Sequence, residues 1–377
     1  MDLDWSEEQQ MLREMVRGVC RHHSPIAVVR ALEDDPIGYP AELWKKMGEL
    51  GLIGLQIPES FGGGGQTLLE SAVVFEELGR ALAPVPLLGS AVLGAGALLR
   101  AGDEAQKQSL LPGLASGASI VAPAWLEPER GFGPDGVQLE GARVGDEYRL
   151  RGTKLHVPFA RAATQLLVLA RTGPARDAID LFLVDPSQSG VGLAQQHSLA
   201  SDTQYRVELD GVRVPASSRV GAPGSGWATW NRVMLDAIVL LAAQAMGGAE
   251  RALEITAEYA KERKQFDKPL GAFQAIAHYL ADAVTRIDGG KALVYEAAWA
   301  IATGRPSERL APMAKLFACQ TYRDVTATMV QIWGGVGFIA EYDIQLYFRR
   351  AKQLQLSYWD TRYLEELVAA SALDGGR

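Results

Sequence analysis

Apolar positions recur at helical spacing through the first third of the chain, give way to short strand-like runs, and return to helical spacing after Gly226. Ser6-Glu7-Glu8-Gln9 has the form of a capping box, and Met11, Leu12, Met15, Val16 and Val19 follow it on one helical face. Pro40 suits a first helical turn ahead of Leu43, Trp44, Met47 and Leu50, and Gly51 is placed to end that helix. A further helix is expected from near Thr67 through Leu69, Val73, Phe75 and Leu78. Between these two, Leu55-Gln56-Ile57-Pro58 and the glycines at 62–65 read as a chain reversal. The glycine run lacks the Lys-Ser/Thr ending of a phosphate-binding loop, so the structural reading leads.

From about residue 119 to 214 the period changes. Leu166-Leu167-Val168-Leu169, Ile179-Asp180-Leu181-Phe182-Leu183-Val184 and Tyr205-Arg206-Val207-Glu208-Leu209 are strand-like runs separated by Gly, Pro and Asp/Ser clusters. Strands gathered between two helical blocks predict α+β organisation, whereas alternating βαβ units would predict a parallel sheet of Rossmann type. Beyond the Pro/Gly-rich stretch 221–226, helices are expected near 228–263, 273–303 and 308–330, then after Tyr342 and Asp360. The expected domains are 1–118 (helical), 119–225 (β) and 226–377 (helical bundle).

Composition narrows the function classes. The chain has 377 residues, 48% hydrophobic and 22% charged, so it can bury a substantial core. Lys+Arg 37 against Asp+Glu 45 gives a net charge of −8, a field that repels nucleic-acid phosphates and anionic lipid. Cys20 and Cys319 are the two cysteines and form no CxxC motif, which suits a reducing, cytoplasmic setting. The apolar stretch 237–249 is short for a hydrocarbon layer of about 30 Å, and Asp2, Asp4, Glu7 and Glu8 make the start acidic, unlike a secretory leader. No membrane insertion and no nucleic-acid partner are expected.

HExxH, GxSxG and EF-hand patterns are absent, and no two of His22, His23, His156, His197 and His278 have a helical metal-ligand spacing, so no metal is expected. Both cysteines fall in helical patterns, where a free thiol is usually a small buried hydrophobe. Two late segments carry more. Tyr259-Ala260-Lys261-Glu262-Arg263-Lys264-Gln265-Phe266, followed by Gly271 and Phe273-Gln274, places an arginine near a helix end, as an anionic ligand requires. Gln331-Ile332-Trp333-Gly334-Gly335-Val336-Gly337-Phe338 offers an amide and bare backbone at a helix terminus, where a dinucleotide can approach. Each segment, taken singly, also reads as an ordinary helix end.

Together, in this order and after a β domain flanked by helices, the two segments resemble the acyl-CoA dehydrogenase family of flavoproteins. The resemblance covers essentially the whole chain. It includes Gly51-Leu52-Ile53-Gly54-Leu55, Ile57-Pro58-Glu59, Phe61-Gly62-Gly63, Leu110-Leu111-Pro112-Gly113-Leu114 and Arg349-Arg350-Ala351-Lys352. It implies an α+β, mostly α fold with an N-terminal helical domain, a middle β-barrel or sandwich domain and a C-terminal four-helix bundle. It also implies FAD shared between subunits of a homo- or hetero-oligomer (dimer or tetramer). Arg263, Phe266, Gln274, Gln331, Gly334 and Gly335 match the positions that hold the ADP portion, with the arginine on the pyrophosphate. Asp267 stands where the family usually has glycine.

On the flavin side the chain departs from the family. Leu126-Glu127-Pro128-Glu129-Arg130-Gly131 replaces a Thr-Glu-Pro motif followed by Gly-Ser-Asp, and His156 and Pro158 replace a tryptophan and a hydroxyl residue. The family's base, a glutamate that takes the substrate α-proton while a β-hydride passes to flavin N5, falls here at Tyr358 or about Ala237. Asp236 is the neighbouring candidate base and reads alternatively as a buried polar or interface residue, while Asp360 reads better as the cap of the last helix. The resemblance implies an oxidoreductase that desaturates an acyl-CoA or carrier-protein acyl thioester in lipid metabolism and passes electrons to an electron-transfer partner. The alternative is a subunit of a heteromeric dehydrogenase that supplies the ADP-binding half and lacks the base.

Overall fold

A computed structural model describes residues 5–374. The acidic positions Asp2 and Asp4 lie outside the described residues. Along the chain the helices and strands are α1 (Glu7–His23), α2 (Ile26–Ala31), α3 (Ala41–Glu49), α4 (Leu68–Arg80), a π-helical segment (Leu88–Gly94), α5 (Ala95–Ala101) and α6 (Glu104–Ser116). There follow β1 (Val121–Ala124), β2 (Glu140–Val144), β3 (Glu147–Pro158), β4 (Gln165–Arg171), β5 (Ile179–Val184), β6 (Val191–Gln196), β7 (Gln204–Pro215) and β8 (Arg219–Val220). The C-terminal part holds α7 (Gly226–Glu262), β9 (Lys264–Gln265), β10 (Lys268–Pro269), α8 (Gln274–Ala302), α9 (Leu310–Trp333), α10 (Ile344–Leu356) and α11 (Thr361–Asp374).

The chain forms two compact units, and α7 runs through both. One comprises the described parts of Met1–Val29, Leu68–Ala83 and Ile238–Arg377. Here α8 packs on α9 and α4, and α9 also packs on α10 and α11. The α4–α7 crossing is closed by glycine on both sides: a Cβ on Gly79 would meet Gln244 O at 1.9 Å, and one on Gly247 would meet Glu76 O at 1.8 Å. Such close backbone approach seats a buried ionic cluster. Glu76, 2% exposed, lies 2.9 Å from Lys291 Nζ and accepts the Tyr295 hydroxyl at 2.7 Å. Burial, then Glu76, pushes the Tyr295 hydroxyl pKa well up.

The α1 capping box forms as expected: Ser6 Oγ accepts from Gln9 N, and Gln9 Oε1 accepts from Ser6 N, both at 3.2 Å. The apolar face is narrower than its spacing predicts. Val16 and Cys20 are buried, but Met11 and Met15 are 63% and 37% exposed. Arg13 and Arg17 take the place beside the buried stripe, reaching Glu77 at 3.0 and 2.7 Å.

The second unit comprises Arg30–Thr67 and Pro84–Ala237. Its eight strands form one sheet in the order β6-β7-β3-β2-β4-β5-β8, with β1 parallel to β4. The end strands β6 and β8 do not pair with each other, so the sheet is not a closed barrel; of the expected barrel or sandwich, closure is corrected. β4 is buried along its centre and pairs antiparallel with β5, Leu166 opposite Val184. Asp180, 1% exposed, ties β5 to the start of α7: its carboxylate accepts Gly224 N at 2.7 Å and the Thr172 hydroxyl at 2.8 Å. Gly226 approaches too closely for a side chain, a Cβ there lying 2.6 Å from Asp180 Cα. The Pro/Gly-rich stretch therefore does physical work in delivering α7.

α7 is the one helix among the described residues long and apolar enough to cross a membrane, yet 89% of its most apolar window is buried inside the protein. Its apolar surface is covered by the fold itself.

Candidate active site and nucleotide-binding end

The last turns of α7 and of α9 meet. Tyr259 stacks on Trp333 with ring centroids 4.1 Å apart, and Trp333 Nε1 donates to Thr256 Oγ1 at 3.0 Å. One helical turn beyond Tyr259, Arg263 N donates to Tyr259 O at 2.8 Å, and Leu270 N returns to Arg263 O at 2.8 Å. Between them β9 and β10 form a two-residue hairpin whose turn is Phe266 and Asp267, with φ of 53° and 64°. Two consecutive positive φ values suit the hairpin twist, and aspartate enters that region more readily than most side chains. Asp267 thus preserves the turn where the family usually has glycine.

Arg263 is exposed and its guanidinium forms no ion pair among the described residues. Phe266 is 88% exposed, and Gln274 opens α8 with its side chain in solvent. At the end of α9, Gln331 is exposed and the three following glycines have different reasons to be glycine. Gly334 has φ 65° and ψ −142°, and a Cβ on Gly337 would lie 2.6 Å from Val330 O. Gly335 has neither constraint and faces open space. A free guanidinium, an exposed aromatic, two amides and a bare stretch of backbone fit the pyrophosphate and nucleoside of a dinucleotide. Arg263, Phe266, Gln274, Gln331, Gly334 and Gly335 all belong to one compact unit, and the Tyr259–Trp333 stack joins the two segments that carry them.

The candidate base lies in the other unit. Asp236 Oδ2 accepts from Arg100 Nη2 at 2.8 Å. Asp236 is 8% exposed, and its Oδ1 has no hydrogen-bond partner among the described residues. Burial pushes its carboxyl above the usual carboxylate range, opposed by Arg100 and Arg232. Ala237 beside it is fully buried.

Tyr358 and Trp359 take consecutive left-handed conformations, φ 51° and 72°. Lys315 holds this backbone, donating from Nζ to Ser357 O at 2.7 Å and Trp359 O at 2.6 Å. Its side chain is fully buried, and burial pushes its ammonium pKa down to about 8. Asp360 caps α11, its Oδ1 accepting Tyr363 N at 2.9 Å.

In the β sheet, Glu127 receives Lys154 Nζ at 2.7 Å and the backbone amides of Gln138 and Leu139 at 2.9 Å. Lys154 is 0% exposed, and burial pushes its ammonium down to about 8 despite Glu127. The Leu-Glu-Pro segment is therefore tied to β3 by a buried ion pair. His156 sits at an irregularity between Lys154 and Val157, with φ 55°. Its Nδ1 lies 2.7 Å from Gln204 Oε1, an acceptor, which assigns the proton to Nδ1.

Arg100, Lys315 and the Glu127–Lys154 tie were not singled out by sequence reasoning. Lys315 had a signal: it shares the buried face of α9 with Ala311, Ala318 and Tyr322 at helical spacing. Arg100 had none, because its partner is 136 positions away.

Residues 6–118 match a model of the acyl-CoA dehydrogenase N-terminal domain, and residues 224–359 match one of its C-terminal domain. The chain is 34% identical over 381 residues to the "Probable acyl-CoA dehydrogenase YngJ" of Bacillus subtilis, covering 99% of this chain and 100% of that one. Among solved structures it resembles butyryl-CoA dehydrogenase from Megasphaera elsdenii, with TM-score 0.92, 28% identity, and 99% and 100% of the two chains covered. It also resembles a chain of the ChsE4-ChsE5 complex from Mycobacterium tuberculosis, with TM-score 0.90, 31% identity, and 99% of each chain covered.

Proposed function

The chain belongs to the acyl-CoA dehydrogenase family, and from that premise we propose that it desaturates an acyl thioester with Asp236 as the group that takes the α-proton. It is an FAD-dependent oxidoreductase; FAD, when bound, supplies the acceptor for the β-hydride. Arg263 pairs with the pyrophosphate, Gln274 and Gln331 meet the nucleotide through their amides, and the backbone at Gly334 and Gly335 admits it closely.

One observation carries the assignment of the base: a buried carboxylate with one oxygen anchored by Arg100 and the other without a partner. Arg100 fixes the orientation of Asp236, and burial raises its proton affinity toward the range a general base requires. The thioester is an acyl-CoA or an acyl carrier protein conjugate of lipid metabolism. Electrons leave to a separate electron-transfer partner, and the exposed nucleotide end implies FAD shared with a neighbouring subunit in a dimer or tetramer. Two free, buried cysteines suit a cytoplasmic setting.

A second reading rests on Tyr358, which stands where the family places a glutamate: the chain is then one subunit of a heteromeric dehydrogenase and its partner supplies the base. Turnover of an acyl-CoA by the purified chain with an artificial electron acceptor separates the two. The first reading expects yellow protein that bleaches anaerobically on adding substrate, with Asp236→Asn keeping FAD and losing on the order of 100-fold or more in kcat. Full turnover by Asp236→Asn removes that residue as base. Protein that gains flavin only with a co-expressed homologue supports the second.

A further inference from the structure

Within the helical unit, α1 is held by charge more than by apolar contact. Of its 17 residues only Val16 and Cys20 are buried, and α4 is the helix it packs on. Toward α7 and α10 its last turns border a cavity of about 360 Å³, with Arg17, Cys20 and Arg21 on one side and Arg251 and Tyr347 on the other. The helix is therefore gripped mainly along one side.

Ion pairs make that grip. Arg17 holds Glu77 bidentately, Nη2 donating to Oε1 at 2.7 Å and Nε to Oε2 at 2.8 Å, and Arg13 Nε donates to Oε1 at 3.0 Å. Arg13 also lies 3.6 Å from Glu76 and from Glu250 of α7. Gln9 adds a 3.2 Å hydrogen bond to Glu70, and ahead of α1 the Trp5 ring meets Tyr295 edge-on, with centroids 4.9 Å apart. The surface beneath is polar too. Glu76 and Glu77 are 2% and 1% exposed. Lys291 and Tyr295, both on α8, keep Glu76 paired without help from α1. Glu77 finds its hydrogen-bond partners on α1 alone among the described residues. Water can solvate that carboxylate in place of the arginines, so lifting α1 uncovers few apolar groups and leaves no charge stranded in the interior.

We propose that α1 is an electrostatic clasp: it lifts from α4 as a unit, pivoting at Ser24 and Pro25 ahead of α2, while the rest of the helical unit stays folded. The Arg13 and Arg17 pairs with Glu77 set how often it opens, and ionic strength tunes them. Both arginine side chains are about one-third exposed, at 29% and 34%, so salt reaches the seam. The screening length falls from about 10 Å at 0.1 M to about 3 Å at 1 M. Cys20 reports the motion. It is 2% exposed on the inner side of α1, and burial, then Glu77, pushes its thiol up to about 12, so it reacts only when α1 has lifted. Cys319, buried on α9, is exposed only when the bundle itself unfolds.

The test is labelling of the FAD-loaded full chain with N-ethylmaleimide at pH 7.5, in 0.1 M and in 1 M NaCl, with the rate at each cysteine read by peptide mass spectrometry. Cys20 should label about tenfold or more faster than Cys319 at 0.1 M, because local opening is more frequent than global unfolding. At 1 M the Cys20 rate should rise about threefold or more while the Cys319 rate does not. High NaCl strengthens apolar contacts if anything, so a rise at Cys20 comes from screening of charge. Arg17→Met should raise Cys20 labelling about tenfold at 0.1 M and flatten its salt dependence, and Arg17→Lys, which keeps the charge but not the bidentate grip, should fall between. If Arg17→Met exposes both cysteines by unfolding, the salt series on the unmodified sequence decides. The proposal is overturned if Cys20 and Cys319 label at the same rate, since opening is then global. It is also overturned if Cys20 labelling is indifferent to salt, or unchanged in a folded Arg17→Met protein. None of these rates depends on turnover, so the clasp stands or falls separately from the dehydrogenase reading.

Discussion

Tyr259 and Trp333 stack with an interplanar angle of 9°, and with the Trp333–Thr256 hydrogen bond this contact holds the arginine end of α7 against the glycine end of α9. Neither ring is required to touch the cofactor for both to govern its binding. Tyr259→Ala removes an aromatic pair worth about 1 kcal/mol beyond its buried area. FAD affinity should then fall about tenfold, while Tm drops by only a few degrees. Tyr259→Phe keeps the stack and should bind FAD as the parent does. Flavin fluorescence titration reads both.

The glycine turn makes a contrast between adjacent residues. Gly334→Ala forces a side chain into a backbone conformation that glycine alone adopts easily, and should cost about 1–3 kcal/mol of stability. Gly335→Ala has open space and no such strain, so its stability should stay within about 0.5 kcal/mol of the parent. Its FAD affinity should nevertheless fall, because the added methyl group occupies the nucleotide's approach. Chemical denaturation and FAD titration on the same two proteins distinguish the effects.

Arg100→Met leaves Asp236 buried beside Arg232 alone. Because Arg100 is 39% exposed, the expected loss near neutral pH is about 2 kcal/mol, below that for a fully buried pair. The folded-state proton affinity of Asp236 is raised, so its contribution is most favourable in acid and is lost as pH rises through the raised value. The variant should therefore approach the parent in acid, where Asp236 is protonated, and fall behind it above the raised value. Adding Asp236→Asn should restore most of the loss. Urea melts of both proteins across an acid-to-neutral pH series check the sign.

Cys20 sets an alkaline limit. Its thiol is pushed from 9.0 to about 12 in the folded protein, so the unfolded chain ionises first and stability is lost as pH rises above 9. Cys20→Ala should cost about 1–2 kcal/mol at pH 8 through lost packing. That deficit should shrink by about 1.4 kcal/mol per pH unit between pH 9 and the folded value. A deficit independent of pH shows that Cys20 does not titrate in this way.

Much of the bundle was legible along the chain because helical amphipathicity is a local property. Segments expected near 273–303 and 308–330 fold as Gln274–Ala302 and Leu310–Trp333. The middle strands were legible where an apolar run is buried along its length, as in β4 and β5, and where Tyr205, Val207 and Leu209 alternate with charges in β7. β3 places Arg149, Arg151 and Lys154 among few apolar residues and loses register before Val157, so its twelve residues gave a weaker signal. Pro112 and Gly113 are poor helix formers, yet α6 continues through them.

What the sequence alone determined was the order of helix, strand and helix, the spacing of the Arg263 and Gln331 segments, and a resemblance strong enough to name a cofactor. These rest on neighbours in sequence, where periodicity, turn chemistry and charge spacing act directly. Only the tertiary structure decided that Arg100 anchors Asp236, that Lys315 holds the Tyr358 backbone, that Lys154 is buried against Glu127, and that Arg13 and Arg17 meet Glu77. Each of those pairings joins residues far apart in the chain, and its energy depends on burial, which removes the water that would otherwise solvate a charge. Burial is fixed by how whole elements pack, and no local pattern carries it.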